Sequence, residues 1–167
     1  MGHPDHFHLA PDMAGARRAA EHLFEEARGE LGSLLPASAE ILHVGATAIP
    51  GCLTKGDLDV VVRIACSDFG AAEAQLAHRF ARNGNSASTE DFAAFEDRAR
   101  TPHLGIQLTV EGGAFDLFHR FAAALRADPE LVQSYNALKR RYDGRLMEQY
   151  RAAKDDFITH VLRSVPD

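Results

Sequence analysis

The stretch that decides the fold is His43-Val44-Gly45-Ala46-Thr47-Ala48-Ile49-Pro50-Gly51, continued by Lys55-Gly56-Asp57-Leu58-Asp59-Val60-Val61-Val62-Arg63-Ile64. The β-branched density from Asp57 to Ile64 predicts a central strand that begins with two acids. Side chains two apart on a strand share a face, with Cα atoms about 6.5–7 Å apart. Carboxylates so placed repel each other unless a cation sits between them. Hard divalent ions such as Mg²⁺ take oxygen ligands and leave positions open for phosphate oxygens. Gly45 and Ala46, small residues at a turn after a strand, let backbone N–H groups approach a phosphate. Thr47 adds a hydroxyl and Lys55 a point charge. Together these parts suit a metal–triphosphate.

Working outward, Asp12 to Leu35 carries apolar residues at three- and four-residue steps, the pattern of an amphipathic helix stopped by Pro36. Ala39–Val44 reads as a short strand. A helix follows Ser67 or Asp68 with Phe69, Ala72, Leu76 and Phe80 on one face, and Gly84 is placed just past its end. Phe92–Phe95 and Leu104–Val110 read as further strands, the second closed by Gly112-Gly113. Phe115–Ala127 is the next helix. Asp128-Pro129-Glu130 then supplies a cap, a first-turn proline and an acid, opening a helical region whose stripe runs from Leu131 to Val161 with a break near Gly144. The order implies an α+β fold: a mixed sheet with flanking helices and a helical C-terminal part. The expected division is a core over residues 1–127 and a helical extension over 128–167 packed on it.

Composition narrows the function classes. Eighteen basic against twenty-four acidic residues give a net charge of −6, a poor basis for binding duplex DNA. No apolar run approaches bilayer length, so no membrane partner is expected. Two cysteines, Cys52 and Cys66, are too few for a disulfide scaffold, which makes a reducing cytoplasm the default location.

The motif His43-Val44-Gly45-x-Thr47-x-x-Pro50-Gly51-x-x-x-Lys55 resembles the signature of the GrpB family. The patches Leu125-Arg126-Ala127-x-Pro129-Glu130, Tyr135-x-x-Leu138-Lys139 and Tyr150-x-x-x-Lys154-x-x-Phe157-Ile158 extend the likeness over roughly residues 40 to 160. The turn followed by Asp-x-Asp is in turn similar to nucleotidyltransferases of the polymerase-β type. What the resemblance implies is a nucleotidyltransferase-like fold, an Mg²⁺ on Asp57 and Asp59 as the catalytic acids, and a nucleoside triphosphate held by His43, Gly45, Ala46, Thr47 and Lys55. The expected reaction is nucleotidyl transfer to an acceptor that the sequence does not identify. Three departures stand out: Ala46 replaces a serine of the family pattern, Asp57 restores the superfamily's acid pair, and Ala122-Ala123 replaces an Arg-Asp. The superfamily's third carboxylate would fall at Gln107, which is neutral; Glu111 and Asp116 are the nearest acids in sequence. An alternative is therefore a catalytically degraded relative that binds a nucleotide or a partner protein without turnover.

Other residues rank lower. His3, His6 and His8 alternate near the N-terminus and are read as a mobile, solvated segment rather than a transition-metal site. His103 and His119 flank the Leu104–Val110 strand, exposed or reaching the same cleft. Arg120, Arg126, Lys139, Arg140 and Arg141 are read as a solvated helix face, with the cleft wall as the alternative. Tyr135, Tyr142 and Tyr150 recur at helical spacing and are read as core rather than as a nucleobase platform.

Overall fold

A computed structural model describes residues 2–166. The elements follow in the order α1 (Met13–Leu34), β1 (Glu40–Val44), β2 (Leu58–Ile64), α2 (Phe69–Arg79), β3 (Ala81–Arg82), β4 (Phe92–Asp97), β5 (Leu104–Val110), α3 (Phe118–Ala127), α4 (Pro129–Tyr142) and α5 (Met147–Ser164). Asp12 caps α1 by accepting from the Gly15 N–H, and Asp128 caps α4 by accepting from Glu130 and Leu131. Gly144, at φ 85°, turns the chain between α4 and α5. α2 ends at Arg79, and the two-residue strand β3 occupies the space between it and Gly84 where only a helix end was expected.

The strands form one mixed sheet in the order β1-β2-β5-β4-β3. β1 runs antiparallel to β2, β2 parallel to β5, and β4 antiparallel to β5. Alternation along the strands gives the sheet two different faces. Leu58, Val60, Val62 and Ile64 of β2 join Leu104, Ile106 and Leu108 of β5 in a dry core with Leu23, Leu31 and Leu76 from α1 and α2. Asp59, Val61, Gly105 and Gln107 point to the other side, where Val61 packs with Val44, Leu125, Val132 and Tyr135 beneath α3 and α4.

Residues 5–10 form a strap rather than a mobile end. The Phe7 N–H donates to Arg145 O at 2.8 Å, the Gly144 N–H to Phe7 O at 2.7 Å, and the Ala10 N–H to Thr54 O at 2.9 Å. Phe7 is 1% exposed and lies flat on Tyr150, with ring centroids 3.8 Å apart. Burial of that ring, worth about 2–3 kcal/mol, offsets part of the entropy of fixing the segment, at about 1–2 kcal/mol per residue, and the backbone hydrogen bonds contribute to the rest. His8 approaches Asp143 at 3.8 Å, and no group of three or more His, Cys, Asp or Glu among the described residues is placed to hold a metal.

Candidate functional site

The odd-numbered face of β2 and β5 opens into a cavity of about 160 Å³. Its floor is Asp57, Asp59 and Gln107; Gly45, Ala46 and Lys55 border it from the loop; Lys139, Lys154, Tyr135 and Tyr150 come from α4 and α5. Phe7 and Phe121 complete the apolar part of the wall.

Asp59 is the most constrained acid. A Cβ at Gly45 would sit 2.5 Å from its Oδ2, and one at Gly105 would sit 3.1 Å from Oδ1. The carboxylate thus lies between two glycines, one on β5 and one at the turn after β1, where Gly45 has φ 79°. Glycine at position 45 is required by the acid itself, whereas the sequence suggested room for a phosphate there. No hydrogen bond or ion pair reaches the Asp59 carboxylate from the described residues. Burial pushes its pKa up, as does Asp57, while Lys154, Lys55 and His103 oppose the shift. Asp57 is better compensated: Lys55 Nζ lies 3.0 Å from its Oδ2 and His103 Nδ1 at 3.6 Å.

His43 and Thr47 are placed differently from the expectation. Register pairs His43 with Val60 and Val44 with Asp59, so the imidazole faces α1, stacked on Phe24 at 5.2 Å, on the opposite side of the sheet from the acids. Thr47, 2% exposed, donates its hydroxyl proton to the Asp57 carbonyl at 3.0 Å. With that proton committed, His43 Nε2 must be the donor in its 2.9 Å bond to Thr47 Oγ1, which assigns the tautomer. Burial first, and Arg126 second, lower the His43 pKa to about 4, so the ring is neutral near pH 7. Neither residue borders the cavity. They tie the end of β1 to the residue before β2 and so fix where Asp57 enters the strand.

The loop between β1 and β2 is held from both sides. Arg17 of α1 donates to the carbonyls of Ile49, at 2.7 Å, and Cys52. Asn136 of α4 donates to Gly51 O at 2.9 Å and accepts from the Leu53 N–H at 2.8 Å. Three carbonyls and one N–H of the loop are satisfied this way.

Of the acids the sequence offered for the third position, neither approaches. Asp116 is clamped by Arg63 through bonds of 2.7 and 2.8 Å, and the guanidinium holds its carboxyl below the usual carboxylate range. Glu111 is exposed. Gln107 faces the cavity as expected, and its Oε1 is buried without a hydrogen-bond partner. Sequence reasoning missed Glu96 on β4, which pairs across the sheet with Gly105. His103 Nε2 lies 3.1 Å from Glu96 Oε2, so the imidazole bridges Glu96 and Asp57.

The helical wall decides Lys139 for the cleft alternative and extends the reading of the tyrosines. Lys139, assigned to a solvated face, is 3% exposed. Its Nζ lies 4.4 Å from the Tyr135 ring centroid and 5.8 Å from that of Tyr150, while Arg140 and Arg141 remain exposed. Desolvation lowers the Lys139 pKa to about 8. Tyr135 and Tyr150 are core, as read, and at the same time cavity wall, with hydroxyls 3.5 Å apart. The signal was present: Lys139 falls four residues after Tyr135, on the same stripe.

A five-stranded mixed sheet flanked by helices, with an Asp-x-Asp entering β2 beside a glycine turn, makes this an α+β protein of nucleotidyltransferase-like fold. The chain belongs to the GrpB family, described as GrpB protein, which matches residues 13–164. A UPF0157 protein of Vibrio cholerae is 34% identical over 155 residues, covering 86% of this chain and 76% of that one. Among solved structures, GrpB from Enterococcus faecalis superposes with a TM-score of 0.62 at 18% identity, covering 87% of this chain and 92% of that one. The Cid1 poly(U) polymerase, described as MgGTP bound, gives a TM-score of 0.50 at 11% identity, covering 75% of this chain. This chain spans 42% of that polymerase's length. The shared feature is the fold. Among the described residues no helix is long and apolar enough to cross a membrane.

Proposed function

We propose that the cavity binds a magnesium–nucleoside triphosphate and that the chain transfers a nucleotidyl group to an acceptor. The observation that carries the reading is Asp59, an unpartnered carboxylate seated between two glycines and bordering the same cavity as Asp57, which lies just before β2. Two carboxylates of which one has no ion-pair or hydrogen-bond partner among the described residues fit a single hard ion that keeps water and phosphate oxygens as its other ligands. Asp57 and Asp59 would hold it, and when bound it supplies charge neutralisation for the phosphates. Lys55 lies where it can leave Asp57 for a phosphate oxygen; Gly45 and Ala46 bring backbone to the same border. His43 and Thr47 serve by fixing the strand entry, not by touching the ligand. Transfer forms a bond from the acceptor oxygen to the α-phosphorus and breaks the bond to the departing pyrophosphate.

Gln107 favours a second reading, binding without turnover, because a neutral amide accepts no proton at neutral pH and balances no second cation. Calorimetric titration of Mg²⁺–ATP into wild type and Asp59→Asn tests the first part. Binding that disappears in the variant supports the assignment, and unchanged affinity refutes it. Pyrophosphate release with candidate acceptors separates transfer from binding alone. Gln107→Glu is expected to strengthen Mg²⁺ dependence, and no change in metal affinity would place the third ligand elsewhere.

A further inference from the structure

Lys139 has no task in the reading above. Its ammonium is buried on α4, lies over the Tyr135 and Tyr150 rings and borders the cavity, with no hydrogen bond or ion pair from the described residues. A cation in such surroundings without a counter-ion is costly unless an anion joins it. Lys154 of α5 borders the same space, also without an ion pair among the described residues. The two tyrosine hydroxyls supply more. Burial holds both phenols protonated far above neutral pH, and their mutual bond uses one proton of two. The second proton is available to an acceptor in the cavity. The α4–α5 wall therefore presents two ammonium groups and a phenol.

Size decides what kind of anion enters. At about 160 Å³ the cavity matches one that holds a benzene, about 150 Å³, and falls below the about 300–1,000 Å³ of pockets that enclose a whole small molecule. A phosphate group fills the enclosed space and leaves the nucleoside outside it, since Phe7 already covers the Tyr150 ring at stacking distance and no base can stack there.

We propose that Lys139, Lys154 and the Tyr135–Tyr150 pair form a subsite for the terminal phosphate of a polyphosphate chain, so that the protein recognises the triphosphate and not the base. The inference rests on the metal–triphosphate reading for the remaining phosphates. Inorganic tripolyphosphate and the tail of a nucleotide share this chemistry, and titration distinguishes them.

The test titrates tripolyphosphate, ATP, UTP and adenosine at pH 7, with and without Mg²⁺, into wild type, Lys139→Met and Lys154→Met. Tripolyphosphate, ATP and UTP are expected to bind within about threefold of one another, and adenosine not at all. Lys139→Met should weaken all three phosphates by at least about tenfold, equal to about 1.4 kcal/mol. A thermal melt of each variant accompanies the titration; should Lys139→Met fail to fold, Lys154→Met carries the same expectation. Adenosine binding, a strong preference between ATP and UTP, or full affinity in the variants would each overturn the subsite. Tripolyphosphate binding that needs Lys139 but not Mg²⁺ keeps the subsite and removes the metal reading. Mg²⁺-dependent ATP binding indifferent to both lysines does the reverse, and no binding of any phosphate removes both.

Discussion

The two faces of the sheet are built from the same strands and do opposite things. On the α1–α2 side, Val60, Val62, Ile106 and Leu108 are fully buried against apolar partners. One residue along each strand, the other side carries Asp59, Gly105 and Gln107, an unpartnered acid, a glycine and an amide with an unsatisfied oxygen. Strand alternation lets a protein place cohesion and chemistry one peptide apart without mixing them. The strands are fixed in register by the first face, and groups that would rather be solvated are therefore held still on the second.

The largest effect expected from this division is in Ile106→Ala, which should lose about 2–5 kcal/mol in urea denaturation. Its neighbour Gln107→Leu should stay within about 1 kcal/mol of wild type, because the change removes a polar atom that has no partner. Equal losses at both positions would erase the contrast between the faces.

Next in size is Lys139. Its fall from 10.5 to about 8 corresponds to about 3 kcal/mol against the charged form in the fold. The groups around it are Cys52, Lys154, Asp59 and Lys55, with the Tyr135 and Tyr150 rings over the ammonium. Between pH 8 and 10.5 the unfolded chain keeps the proton and the folded one has lost it, so stability rises with pH. Lys139→Met should be more stable than wild type by about 1–3 kcal/mol at pH 7, after loss of the ring contacts, with the gap closing toward pH 10. A constant gap across that range would show that the ammonium is not confined by burial.

The smallest effect belongs to His43 on the closed face. Its folded pKa of about 4 lies below the ordinary 6.5, so the unfolded chain takes up the proton first and stability falls as pH drops through that window. Allowing for its partial solvent contact, about 2 kcal/mol should be lost by pH 4. His43→Gln should flatten that acid limb, and parallel curves would show that other groups govern it.

The sequence made the strands legible where composition was strong. Val60-Val61-Val62 and Leu104–Val110 could hardly be anything else, and Asp128-Pro129 announces its helix by capping chemistry. β3 was not legible because two exposed residues carry no periodic signal. The acid pair could be read from spacing, but the side on which His43 falls depends on the β1–β2 register, which pairing across the loop decides. Lys139 was misjudged because charge was weighed ahead of its place on the Tyr135 stripe. The strap escaped notice because its partners, Thr54 apart, lie more than a hundred residues away, as in the bond from the Leu9 N–H to Asp143, 134 positions apart.

That separation gives the strap a place in time as well as in space. Closing so long a loop is entropically unfavourable until the elements between are ordered, and contacts of this range form late in folding. The turn at Gly144 receives Phe7 O and offers Arg145 O in return, so it must exist before the strap can dock. The segment is translated ahead of every element it touches and is seated after them all. A newly made chain therefore has its acids, its sheet and its dry core before it has a closed cavity.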